Sequence, residues 1–189
     1  MYKNVYEEPM IEGAPLPFEL PAWIACAPFE EYLGMRIEEA KDGRACLTMP
    51  FRVKLAQGKG LMHGGAVTAL ADTAVAMAIK SLLPEESHFA TVEMALKFHA
   101  PVRGGTVRAV ARVTERDERN IKGEAEVFDE QGVKVATFTS HFKVKKQPLA
   151  AAFIHPSPAG ASSPPTSSGS CSGELRRGLS RRPKGKGRR

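Results

Sequence analysis

Residues 60–78 read GLMHGGAVTALADTAVAMA. Beyond the Gly64-Gly65 pair the stretch is Ala, Val, Leu, Met and Thr, a composition suited to a helix buried on most sides. One acid interrupts it. From Gly60 to Ile79 no side chain other than Asp72 carries a formal charge, and His63 is the only other titratable one. The residues three and four positions from Asp72 are Thr68, Ala69, Val75 and Ala76, so the acid lies on no charged face. A carboxylate in such company is costly to bury unless it is paired or used, which makes it a candidate functional group. The plainer alternative, a solvated Asp behind a Gly-Gly turn, stays open at this point. At the helix entrance, His63-Gly64-Gly65 marks an N-terminus, where backbone N–H groups are free and partial positive charge collects. The segment thus supplies an anion- or oxyanion-binding end together with an isolated acid.

The flanking sequence decides what surrounds this helix. Upstream, residues 28–33 read as a short helix stopped at Gly34. Residues 35–39 and 44–51 read as two strands about the turn Lys41-Asp42-Gly43. A loop fills 52–62, and the long helix runs from Gly64 to about Leu83, ended by Pro84. Four strands follow at roughly 89–99, 105–117, 121–129 and 133–145. Turn signals separate them at 101–105, 116–120 and 129–132. The stretch VRAVARV at 107–113 alternates apolar and basic residues, as a half-exposed strand does. The helix is apolar nearly all round, so it must be covered. One covered helix with an antiparallel meander is an α+β arrangement. A sheet wrapped around one long central helix satisfies it best.

Three segments emerge along the chain of 189 residues: a Pro-rich N-terminal extension at 1–27, a folded domain at 28–146 and a tail at 147–189. The extension is expected to pack over the domain through Phe18, Leu20 and Trp23. The tail is Ser/Pro/Gly-rich and reads as a disordered basic arm. It holds eight Lys and Arg against Glu174 alone, net +7, so the remainder sums to −1 of the chain's +6. The basic character therefore belongs to the tail, and nucleic-acid binding is not expected beyond weak tail electrostatics. Cys26, Cys46 and Cys171 show no metal or redox spacing, and an odd count fits a reducing compartment. No stretch reads as membrane-spanning or as a signal peptide, so a cytoplasmic protein without a membrane partner is expected.

Several stretches together carry a family likeness: PFEEYLGMRIEEAKDGRACLTMPF, QGKGLMHGGAVTALADTAVAMA and ATVEMALKFHAPVRGG, in that order. Over about Phe29 to Lys145 the chain resembles the hotdog-fold acyl-CoA thioesterases. Within the hydroxybenzoyl-CoA thioesterase superfamily it is most like the phenylacetic-acid-degradation (PaaI-like) subgroup. The HGG motif with an acid seven residues on, and the KFHAPVRGG turn, are two independent matches. The resemblance implies a hotdog fold and hydrolysis of a CoA thioester to free acid and CoA, with no cofactor. It assigns Asp72 as catalytic acid and Gly64 as the residue whose N–H polarises the thioester carbonyl. Gln57, six residues before His63, takes a polar position that is Asn in many members and Gln in others, and Thr91 a hydroxyl position that helps orient the water. His63 is the motif histidine. The pairing of Gln57 with Asp72 departs from the pattern, in which Gln goes with Glu and Asn with Asp.

The chemistry fits those residues. Thioester hydrolysis needs an activated water and a place for negative charge on the carbonyl oxygen. Asp72 can act as general base or attack directly. Gly64 and Asp72 are eight residues apart, about 12 Å along one helix, too far to share one thioester. Two antiparallel copies of the helix bring Gly64 of one chain to Asp72 of the other. A homodimer with composite sites is therefore expected, assembling further into a tetramer. Gly65 lies beside the same opening, and Met94 and Phe98 are expected to line the acyl site. Lys59, Arg103 and Arg119 are candidate cations for the CoA phosphates, with Arg116 and Lys122 as alternates. His63 has no second ligand at metal spacing, so no metal site is expected. Two alternatives remain: a hotdog acyl-CoA dehydratase or hydratase, and a non-catalytic acyl-CoA-binding module.

Overall fold

The computed structural model describes residues 9–145, and the expected tail at 147–189 lies outside them. A short helix α1 (Pro28–Leu33) leads into a hairpin of β1 (Arg36–Lys41) and β2 (Arg44–Pro50). A single 3-10 turn at Val53–Leu55 precedes the long helix α2 (Gly64–Lys80). Four strands follow, β3 (Phe89–Phe98), β4 (Thr106–Arg116), β5 (Asn120–Phe128) and β6 (Lys134–Val144), but only β4-β5-β6 form the expected meander, because β3 crosses over to pair with β6. The six strands form one antiparallel sheet in the order β1-β2-β4-β5-β6-β3. It wraps around α2, the hotdog arrangement. No helix among the described residues is long and apolar enough to cross a membrane.

Alternation explains the sheet. Ile121, Gly123, Ala125 and Val127 on β5 and Phe138, Ser140 and Phe142 on β6 face α2 and are buried. Lys122, Glu124 and Glu126 point to the other face. The turns carry their own anchors. Asp117 accepts hydrogen bonds from the N–H groups of Arg119 (2.8 Å) and Asn120 (2.7 Å) between β4 and β5. Asp129 does the same for Gln131 (3.1 Å) and Val133 (2.8 Å) between β5 and β6.

Helix α2 stops three residues earlier than the sequence suggests, at Lys80. The Ser81 hydroxyl donates to the carbonyl of Ala78 (2.7 Å) and accepts the Gly43 N–H (2.9 Å), so capping closes the helix before Pro84 is reached. The indole N–H of Trp23 donates to the Lys80 carbonyl (2.9 Å), and its ring meets Phe89 edge-on at 6.2 Å. Of the three extension residues expected to pack, Trp23 does so, whereas Leu20 is exposed.

Nor is α2 covered all round. Leu70, Ala71, Ala74, Val75, Ala78 and Ile79 are fully buried, but Gly64, Thr68, Ala69, Asp72 and Ala76 form a half-buried stripe. The helix lies over β2, β4 and β5 and leaves the flank toward β3 open. It packs closely on β5: a methyl at Gly123 would overlap Cγ1 of Val75 and lie 3.2 Å from the Arg112 carbonyl oxygen. Gly123→Ala should therefore cost roughly 1–3 kcal/mol, the usual range for overpacking, read by urea unfolding. Val75→Ala in the same chain should relieve part of that cost, so the double variant should be more stable than the two single losses added together. Simple additivity would show that the contact does not limit the packing.

Candidate active site

The open flank of α2 carries two groups of residues, one at the middle of the helix and one at its N-terminus. At Asp72 the partner comes from β3. The Thr91 hydroxyl donates to Oδ1 of Asp72 at 3.2 Å. Register explains how Thr91 reaches it. Thr91 pairs with Phe142 and Met94 with Ser140, both on the inner face, and the ladder slips between Thr91 and Glu93. Val92 is the extra residue of this bulge. It lets Thr91 share the inner face with Met94, Leu96 and Phe98, which strict alternation would forbid.

Burial raises the Asp72 carboxyl above its ordinary pKa, and the Thr91 hydrogen bond offsets part of that rise by favouring the ionised form. No cation pairs with Asp72 among the described residues. Its second carboxylate oxygen is thus available to a water molecule or a substrate.

At the N-terminus of α2, His63 is the N-cap. Its Nδ1 accepts the Gly65 N–H at 2.9 Å. The histidine therefore holds the entrance, and Gly65 spends its N–H on the cap. The Gly64 N–H has no acceptor among the described residues, leaving it one of the free donors of the first turn. A Cβ on Gly64 would lie 2.8 Å from Cζ of Phe98, so the tip of that ring rests against the glycine.

Gln57 belongs to this end. Its side-chain oxygen accepts the Lys59 N–H (2.9 Å), closing a tight turn. A cleft of about 420 Å³ opens here, lined by Gln57, Gly64, Val67, Phe98, Val102 and Val135 among others. The glycine entrance, the polar Gln57 and the apolar pocket thus lie together, while Asp72 and Thr91 do not line that cleft. Within one chain the expected catalytic residues form two half-sites, Gln57-His63-Gly64 and Asp72-Thr91. Met94 sits between them on β3, 47% exposed.

The expected cations also divide. Lys59 and Arg103 are exposed near the N-terminal end of α2, since Val102 lines the cleft and accepts the Met62 N–H (3.0 Å). Arg119 lies in the β4–β5 turn. Its neighbour Arg116 donates to the Leu82 carbonyl (3.2 Å), just past the opposite end of α2. A helix of 17 residues separates the two groups, about 25 Å. One chain does not gather all three on a single ligand.

Val67, Val102 and Val135 escaped the sequence reading. Val67, one turn beyond Gly64, could have been found from helical spacing. Val135 had no local signal, because only the strand pairing that bonds the His99 N–H to its carbonyl (2.8 Å) brings it there.

Residues 59–136 match the thioesterase superfamily. A protein of Halobacterium salinarum is 31% identical over 123 residues, covering 60% of this chain and 82% of that protein. The proofreading thioesterase EntH of Cronobacter turicensis is 31% identical over 107 residues, 57% of this chain and 78% of EntH. Among solved structures, a mutant of the phenylacetic acid degradation protein PaaI from Thermus thermophilus superposes with a TM-score of 0.57 at 29% identity. That alignment covers 62% of this chain and 98% of PaaI.

The electrostatics of Asp72 can be tested directly. In the folded chain it keeps its proton to higher pH than in the unfolded chain. Stability should thus fall as pH rises from the ordinary carboxylate value toward the raised one, with the full cost present above both. Asp72→Asn should melt at a higher temperature than wild type at pH 7. The gain should vanish below the ordinary Asp pKa of about 3.9. A gain of the same size at both pH values would contradict the desolvation account. Thr91→Val removes a hydrogen bond to the ionised form, so an NMR titration of the Asp72 carboxyl should move upward; a downward or absent shift would contradict the role given to Thr91.

Proposed function

The chain belongs to the thioesterase superfamily, in its PaaI-like hotdog group, and we propose that the thioester it hydrolyses is a cytoplasmic acyl-CoA. One observation carries the assignment of the site. Asp72 is half-buried at the middle of α2 and held by Thr91, and among the described residues no cation pairs with it and no acceptor takes the Gly64 N–H at the N-terminus of the same helix. A carboxyl pushed upward in this way is a better base than an ordinary surface carboxylate. In the proposed reaction Thr91 fixes the carboxylate rotamer and Asp72 takes a proton from water, which attacks the thioester carbon. In the alternative route Asp72 attacks the thioester carbon itself, the thiolate leaves, and water then hydrolyses the mixed anhydride to free acid and the Asp72 carboxylate. The Gly64 N–H, at the positive end of α2, and Gln57 receive the charge that develops on the carbonyl oxygen. CoA leaves as the thiolate and takes up a proton.

The separation of about 12 Å between Gly64 and Asp72 supports a composite site. So does the sheet edge. Strand β3 ends the sheet, and its free edge carries Val92 and Phe98, 52% and 55% exposed. Natural sheets rarely leave a ten-residue edge strand bare. A twofold axis beside β3 would pair it with its copy, run the two α2 helices antiparallel, and set Gly64 of one chain near Asp72 of the other. Lys59 and Arg103 of one chain would then approach Arg119 of the next, completing a basic surround for CoA phosphates. Two such dimers would form the tetramer.

Asp72→Asn should lower acyl-CoA hydrolysis by at least ~100-fold while the protein stays folded. Retained turnover, or hydration of crotonyl-CoA in place of hydrolysis, would overturn this assignment. Complementation tests the composite site. Gly64→Pro deletes the donor, and the extended His63 (ψ 134°) tolerates a following proline. Any Cβ at 64 also presses on Phe98, so Gly64→Ala, which keeps the N–H, measures that steric part separately. Asp72→Asn and Gly64→Pro homodimers should each be nearly inactive. After subunit exchange, half the dimers are mixed with one sound site of two, and about a quarter of wild-type activity should return. No recovery after exchange confirmed by native mass spectrometry would place both groups in one chain.

A further inference from the structure

Phe98 carries an inference that rests on the reading of Gly64 as the carbonyl-polarising residue. We infer that Phe98 is a specificity-determining residue, whose ring sets how bulky the carbon next to the thioester carbonyl can be. Three observations lead there. The ring meets Gly64 tip-first: Cζ lies 2.8 Å from where a Cβ would stand, and Cε1 and Cε2 lie 3.5 Å from it on either side. A carbonyl oxygen bonded to the Gly64 N–H sits about 2.9 Å from that nitrogen. The atoms attached to the carbonyl carbon then pass within van der Waals reach of the ring.

The cleft that Phe98 and Gly64 share is mostly apolar: Leu61, Met62, Val67, Val102 and Val135 supply its walls. A pantetheine arm carries two amides that such walls leave unpaired, at a desolvation cost. An acyl group suits them. The acyl side of the thioester therefore enters the cleft, and its first carbon passes beneath the ring. Phe98 is the last residue of β3, anchored by backbone pairing with Ala136, and in the single chain 55% of its surface is open. The backbone fixes the ring's root, and the tip of the ring touches the helix. It acts as a ceiling over the first acyl carbon rather than as a plug of the whole cleft. A linear chain offers two hydrogens there, and a singly branched one a methyl group in place of one of them.

The test compares kcat/KM for butyryl-CoA and isobutyryl-CoA, which hold the same atoms in linear and branched form. Wild type should favour the linear substrate. Phe98→Ala should raise the isobutyryl-to-butyryl ratio about tenfold or more, the scale on which one methyl group is discriminated in an apolar pocket. Phe98→Leu, which keeps an apolar side chain against Gly64, should shift the ratio part of the way, and it serves the test should the Ala variant fold poorly. Phe98→Trp should shift it in the opposite direction. An active Phe98→Ala or Phe98→Leu protein whose ratio stays within about twofold of wild type would overturn the steric ceiling and leave the thioesterase reading intact. A folded wild-type protein that hydrolyses neither substrate nor any other acyl-CoA would overturn both.

Discussion

An apolar helix clasped by a sheet can hold a carboxylate only on the flank that the sheet leaves open. Much of this molecule follows from that constraint. Contact between Val75 and Gly123 seats α2 on β5, and the fully buried Leu70, Ala74 and Ile79 complete its covered side. Asp72 falls on the remaining flank. There it is desolvated enough to have its pKa raised, yet it keeps one oxygen accessible. The same flank looks toward β3, the terminal strand of the sheet. The state of the acid and the unfinished sheet edge are thus two expressions of one placement of the helix. A charge moved one position along α2 would meet buried Ala71 or Thr73 instead of the opening.

The two ends of α2 divide their polar groups in a consistent way. At the C-terminus, Ser81 and Trp23 occupy carbonyls that would otherwise be unpaired. At the N-terminus the Gly65 N–H is taken by the His63 side chain and the Ala66 N–H by the His63 carbonyl, and the Gly64 N–H has no acceptor among the described residues. A helix sealed at its negative end and left open at its positive end is suited to receive an anion or a polarised oxygen. By capping through Nδ1, His63 fixes where the free donor points.

The architecture was largely legible in the sequence because its signals are periodic. The four downstream strands lie within one or two residues of their expected bounds, and the hairpin turn at Asp42-Gly43 was marked by its residue types. Asp72 was legible because it is the one acid in an apolar run, and His63-Gly64-Gly65 because glycine and a polar cap announce a helix start. What could not be read depends on pairs distant in sequence. The Trp23 contact with Lys80 spans 57 positions. The Phe98 ring on Gly64 is a tertiary contact with no periodic signature. The half-exposed stripe was missed because Ala and Gly look the same on a buried face as on an open one. The separation of Arg103 from Arg119 is likewise invisible until the helix between them is laid out in space.

The bulge at Val92 has a bearing on how relatives are compared with this chain. A strand's side-chain parity normally survives alignment by simple matching of positions. Here one surplus residue reverses parity between Thr91 and Met94, so the hydroxyl that meets Asp72 is defined by its partner Phe142 across the ladder and not by its count back from the KFHAPVRGG turn. A homologue lacking the surplus residue would carry an inward-facing side chain one column away in an ungapped alignment. Judged by column alone, it would look as if it had lost its orienting hydroxyl, or had kept one that faces the wrong way. For this strand, structural equivalence has to be counted from the cross-strand neighbour.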